Sequence, residues 1–250
     1  MKDADRPAVL ITAASQGIGE ALARGLAGRG YRVAVMARSE KALALADEIG
    51  GWGMQGSVLE PDDLDRFVSQ ATERFGRIEG VVNNTGRDKE SLHVSGAGYD
   101  PDLDRELTDI PDESWLHGTE LYFLNVVRMA RAVVPVMRRQ GGGSIVNVSS
   151  FAALEPRLIF PVSGALRMAL AAYTKLFADR YAREGLRMNN ILPGFVENWP
   201  LEESVRRTIP MARPVRMEEL VGTTAFLLSP DSASITGQNI LVDGGVNRAL

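Results

Sequence analysis

Residues 8–30 read AVLITAASQGIGEALARGLAGRG, and their order decides the fold. A short apolar run, 8–12, has the length and β-branching of a buried strand. A turn follows that holds Gly17 and Gly19, and a helical pattern opens within it. Glycines between a strand and a helix let the backbone approach a pyrophosphate, and the helix N-terminus presents free N–H groups and the positive end of its dipole. The first glycine expected of such a turn is Ala13 here. Alone, the two glycines are equally explained by close packing of strand and helix, so the rest of the chain has to decide.

The alternation begun here continues to the other end. Strand-like runs at 31–37, 53–58, 78–84, 143–150, 186–192 and 239–245 are interleaved with helical patterns at 39–50, 60–76 and 112–140 and with one from about 160 to 184. Pro135 is expected to bend the third of these or mark an irregularity late in it. Near-continuous apolar strands alternating with helices imply an α/β fold, a doubly wound parallel sheet with helices on both faces. No repeat or linker divides the 250 residues, so one domain is expected over 1–250. An aperiodic stretch rich in Asp, Gly and Pro, about 87–111, interrupts it past a central strand, where such folds bind ligands. The chain has no cysteine, which removes thiolate chemistry and Cys-bound metal, and no metal site is expected. A net charge of −4 argues against nucleic acid or an anionic membrane as partner. Neither a signal-like start nor a long uncharged apolar run is seen, and a cytoplasmic location is expected.

Four further stretches stand at strand ends: NNTG at 83–86, NVSS at 147–150, ILPG at 191–194 and ITGQNILVDGG at 235–245. Together with TAASQGIG at 12–19, the chain resembles the short-chain dehydrogenase/reductase family along essentially its whole length. The resemblance implies a Rossmann-type fold, a nicotinamide dinucleotide, a small-molecule substrate and a homo-oligomer, tetramer or dimer. It implies cofactor contacts from Thr12, Ser15, Gln16, Gly17, Ile18 and Gly19, from Asn84 and Gly86, and from Pro193, Gly194, Val196 and Asn198. Asn198 stands where a Thr often holds the nicotinamide carboxamide. At the end of the second strand Ala37 fills the usual acidic position, and Arg38 and Ser39 follow, so NADP(H) is expected in preference to NAD(H). Ser57 replaces an Asp that often meets the adenine, leaving that contact to Val58. Glu155 and Arg157, beyond the fifth strand, stand where relatives bind substrate.

The family's chemistry uses a Tyr with a Lys four residues later, a Ser, and an Asn on the preceding helix. Here Asn125 and Ser150 match, but Ser163 and Arg167 stand at the Tyr and Lys positions. No tyrosine has a Lys four residues on: Tyr31, Tyr99, Tyr122, Tyr173 and Tyr181 are followed by Val35, Leu103, Val126, Phe177 and Gly185. An aliphatic hydroxyl ionises several units above a phenol, and a neighbouring cation worth about 1–3 units does not close that gap. Arg167 keeps a positive charge but does not shuttle protons. Three readings stay open. The first is an oxidoreductase on a carbonyl/alcohol pair, 3-oxoacyl reductase-like, with its proton from water, substrate, His93, Tyr99 or His117. The second is an elimination or isomerisation in the same cleft, with Arg167 holding an anion. The third is a catalytically silent dinucleotide-binding protein.

Overall fold

The computed structural model describes residues 6–85 and 106–249. Most of the 87–111 stretch, with His93, Tyr99 and the candidate Gly86, lies outside these. The described chain runs β1 (Ala8–Thr12), α1 (Gly17–Gly28), β2 (Arg32–Ala37), α2 (Lys41–Glu48), β3 (Trp52–Gln55), α3 (Pro61–Phe75) and β4 (Gly80–Asn83). After Leu107–Asp109, a 3-10 turn, come α4 (Asp112–Thr119), a π-helical turn (Glu120–Leu124) and α5 (Asn125–Arg139). Then come β5 (Gly143–Val148), α6 (Pro161–Tyr181), β6 (Leu186–Pro193), α7 (Glu203–Arg206), α8 (Met217–Leu228) and β7 (Asn239–Val242).

The strands form one parallel sheet in the order β3-β2-β1-β4-β5-β6-β7. The order reverses between β1 and β4, and at such a switch point the crevice at the carboxyl ends of the strands takes ligands. β1 and β2 are apolar on both sides, because both faces are covered there. Leu10 of β1 packs with Phe67, Met129 and Phe177 under α3, α5 and α6. Its neighbours Val9 and Ile11 pack with Leu22, Leu45 and Leu220 under α1, α2 and α8. This is the doubly wound architecture that the alternation of the sequence implies.

One polar feature runs through this apolar sheet. Asn83, Asn147, Asn190 and Asn239 are register partners on β4, β5, β6 and β7. Their side-chain amides bond in series: Asn83 Nδ2 to Asn147 Oδ1 (2.9 Å), Asn147 Nδ2 to Asn190 Oδ1 (2.8 Å), and Asn190 Nδ2 to Asn239 Oδ1 (2.7 Å). Thr174 of α6 donates its hydroxyl to Asn190 Oδ1 at 3.0 Å and so ties the helix carrying Ser163 and Arg167 to the ladder. A buried polar network of this kind is tolerated because its members satisfy one another.

The long helix expected over 112–140 is real; Pro135 sits inside α5 without ending it, and an irregularity lies earlier in the helix. The break is the π turn. The Asn125 N–H bonds back to the Glu120 carbonyl, and the Asn125 side-chain amide donates to the Leu121 carbonyl. An extra residue in one turn rotates the helix beyond it relative to the helix before it. β3 is also displaced from the expected 53–58, because Gly56 and Ser57 already belong to a turn: the Gly56 N–H reaches Ala37 O, and the Ser57 N–H reaches Asp63 Oδ2. No helix among the described residues is long and apolar enough to cross a membrane.

Candidate active site

A cleft of about 890 Å³ opens at the carboxyl ends of the central strands. Ser15, Gln16, Gly17 and Ile18 line one part of it, where β1 turns into α1, and Arg38, Ser39 and Val58 line the part beyond β2 and β3. Asn84, Ser150, Ser163, Arg167, Gly194, Val196 and Asn198 complete the wall among the expected residues. Thr12, Gly19 and Pro193 lie outside this wall. The Thr12 hydroxyl donates to Asn84 O at 2.9 Å and accepts the Asn84 N–H at 3.0 Å, clamping β1 to β4 at the switch point.

The glycine-rich turn is tight for identifiable reasons. Gly17 has φ +58°, and a Cβ there would lie 3.2 Å from Asn198 Nδ2, so the Asn198 amide leans over the turn. A Cβ on Gly19 would fall 2.5 Å from Ala13 O and 2.7 Å from Asn84 Nδ2. Ala13 itself has φ +49°, left-handed backbone that the missing glycine would adopt freely. Its carbonyl is held there by Asn84 Nδ2 at 3.1 Å. A non-glycine residue in this region costs about 1–2 kcal/mol, partly offset by the larger unfolded-state entropy of glycine. Ala13→Gly is therefore expected to raise unfolding stability by about 0.5–1 kcal/mol, read by thermal or denaturant unfolding. A loss of stability would show that the turn relaxes around alanine.

At the other end of the cleft, Ser150 caps a 3-10 turn, Phe151–Ala153, by accepting the Ala152 N–H. Ser163 lies in the first turn of α6 and is buried. Arg167, one turn later, donates Nη1 to the Val148 carbonyl at 2.8 Å. Its guanidinium lies over the Tyr122 ring, 4.7 Å from the centroid, a cation–π distance. Burial pushes the Arg167 pKa down from its ordinary value, while the Tyr122 phenol, once ionised, would push it back up. Arginine keeps its proton under such a shift. No carboxylate among the described residues pairs with it.

Asn125 is not part of the cleft wall. It is buried, with its side-chain amide spent on the Leu121 carbonyl. One turn earlier, Leu121 and Tyr122 line the cleft instead, together with Phe151, Phe160 and Trp199. In the sequence Tyr122 is marked only by the lack of a Lys four residues on, which sets it aside. Its approach to Arg167 forms between two separate helices and leaves no mark in the sequence. Glu155 and Arg157, expected near the substrate, bond to each other at 2.6 Å, and Glu155 also accepts the Arg248 N–H. His117 lies on α4 outside the cleft wall. No cluster of metal-ligating side chains occurs among the described residues.

The cleft is continuous from the glycine turn past Asn198 to Ser150, Ser163 and Arg167. Known proteins are similar to this chain along nearly its whole length. The family model described as Enoyl-(Acyl carrier protein) reductase matches residues 12–247. The 3-oxoacyl-[acyl-carrier-protein] reductase FabG of Vibrio cholerae is 30% identical over 95% of this chain and 96% of its own. Among solved structures, a tryptophan variant of actinorhodin polyketide ketoreductase with NADPH superposes with TM-score 0.87 at 26% identity, covering 99% of this chain and 100% of that one. The 3-ketoacyl-(acyl-carrier-protein) reductase of Brucella melitensis complexed with NADH gives 0.85 at 26% identity, over 97% and 98%. With a family model spanning nearly the whole chain and a full-length relative of this identity, the protein belongs to the short-chain dehydrogenase/reductase family of oxidoreductases.

Proposed function

We propose that the protein is an NADP(H)-dependent oxidoreductase acting on a carbonyl/alcohol pair, 3-oxoacyl reductase-like, with a proton donor other than residue 163. The observation that carries this reading is one continuous cleft joining the glycine turn, Arg38 and Ser39, and the Ser150–Ser163–Arg167 end. The residues fit a dinucleotide: side chains are excluded at Gly19, and the α1 N-terminus faces the turn. Ser15, Gln16, Gly17 and Ile18 would hold the pyrophosphate, Val58 the adenine, and Asn84, Gly194, Val196 and Asn198 the nicotinamide half. When bound, the cofactor supplies or accepts the hydride. Ser150 orients the substrate oxygen, and Arg167 keeps a positive charge beside it. A cytoplasmic, single-domain homo-oligomer goes with this reading.

The dinucleotide preference rests on Arg38, with Ser39 and Lys41 beside it in the wall. A charge-assisted bond to a 2′-phosphate contributes about 1.5–3 kcal/mol, roughly 10–100-fold in affinity. Arg38→Ala is expected to weaken NADPH binding by that factor and to leave NADH binding within about threefold, followed by cofactor fluorescence. Equal loss for both dinucleotides would reject the phosphate role. Turnover of NADPH across a panel of 3-oxoacyl and other carbonyl compounds tests the activity itself. Stoichiometric NADPH binding with no turnover would favour the catalytically silent reading, for which the serine at position 163 is the specific ground.

A further inference from the structure

The oxidoreductase reading leaves the substrate oxygen without a proton donor at residue 163, yet the same cleft contains a phenol contributed by a different helix. We infer that Tyr122, on the π turn between α4 and α5, is the acid–base residue of this site, giving its phenolic proton to the substrate oxygen beside Arg167. The inference rests on that reading.

Four observations carry it. Tyr122 shares the cleft wall with Ser150, Ser163 and Arg167, although it is otherwise buried. The ring belongs to one buried cluster with Val162 of α6, the residue before Ser163, and the Arg167 guanidinium lies over its face. That guanidinium is anchored through Val148 O and has no carboxylate partner among the described residues, so its charge acts on the ring and on the cleft. Finally, residue 122 lies on a π turn, and such turns are frequent at functional sites. The other described tyrosines, Tyr31, Tyr173 and Tyr181, do not line the cleft.

The step balances. The carbonyl carbon receives a hydride from the reduced nicotinamide dinucleotide, and the C=O π pair moves to oxygen. The oxygen takes the proton from Tyr122 Oη, leaving alcohol, oxidised dinucleotide and a phenolate that regains a proton from water. The phenolate and the Arg167 cation stabilise each other. Arg167 is the charged group that α6 sets against the ring. On the tyrosine's own stretch, Glu120 and Arg128 are bonded to each other, and His117 lies on the helix before it.

Tyr122→Phe keeps the ring under Arg167 and removes only the hydroxyl. It is expected to lower carbonyl reduction by about 10²–10⁴-fold while NADPH affinity and melting temperature stay near wild type. Tyr173→Phe, outside the cleft, keeps the wild-type rate. A second readout needs no turnover. The tyrosinate absorbance of wild type minus Tyr122→Phe isolates this phenol, and Arg167→Met, which removes the cation over its face, should move its ionisation upward. Turnover that survives Tyr122→Phe, or a phenol whose ionisation Arg167→Met leaves unmoved, overturns the donor role alone. Absence of turnover in the wild-type protein overturns the oxidoreductase reading and the donor role with it.

Discussion

In a Tyr122→Phe background, installing Ser163→Tyr together with Arg167→Lys is expected to recover about 10²–10⁴-fold of carbonyl reduction. The pair re-creates the family's usual acid and its cation on the first two turns of α6, where Ser163 and Arg167 already face the cleft. A phenol extends well beyond a serine hydroxyl, so its oxygen would reach toward the region bounded by Ser150 and Phe160. Lysine keeps the positive charge and can still donate to the Val148 carbonyl that now receives Arg167. Ser163→Tyr alone, with Arg167 retained, should recover less, because the guanidinium is committed to the ring at residue 122. Steady-state reduction of one 3-oxoacyl substrate across the set, with NADPH binding checked in each, decides the matter. If the triple variant binds NADPH but stays at the Tyr122→Phe level, the surroundings of residue 163 have diverged along with the residue itself.

The legibility of each feature in the sequence depends on how local its physical cause is. Buried strands are apolar runs whatever surrounds them, so β1, β2, β4, β5 and β6 were legible within a residue or two. The glycine turn was legible because steric exclusion is local, and the strain at Ala13 is what its departure from glycine entails. α8 escaped detection although MEELVGTTAFLL opens with the acidic pair Glu218 and Glu219, because its largely apolar pattern lacks a distinct polar face. Tyr122 was hidden for a different reason. A period of 3.6 residues places Asn125 and residues before it on predictable faces, and one π turn changes that register without any mark in composition. The asparagine ladder was hidden too, since four residues from four strands become neighbours only once topology and register are known.

That ladder supports the prediction with the largest expected effect on stability. Asn147→Ala is expected to destabilise the fold by about 2–4 kcal/mol, the sum of a buried unsatisfied group and a small cavity. For a chain of this length that corresponds to a drop of roughly 5–15 °C in melting temperature. The asymmetry of the network gives the reason. Asn83 Nδ2 loses its acceptor at Asn147 Oδ1 and is left buried, whereas Asn190 Oδ1 keeps the Thr174 hydroxyl. Most of the cost therefore sits on the β4 side, beside the Asn84–Thr12 clamp that shapes the cleft. Replacing Asn83 as well removes the orphaned donor, so Asn83→Ala with Asn147→Ala should cost less than the sum of the single changes. Contacting network members generally couple by about 0.5–3 kcal/mol. Additive losses in that cycle would mean that the two amides act independently, and that the register of β4 against β5 is set by their apolar neighbours alone.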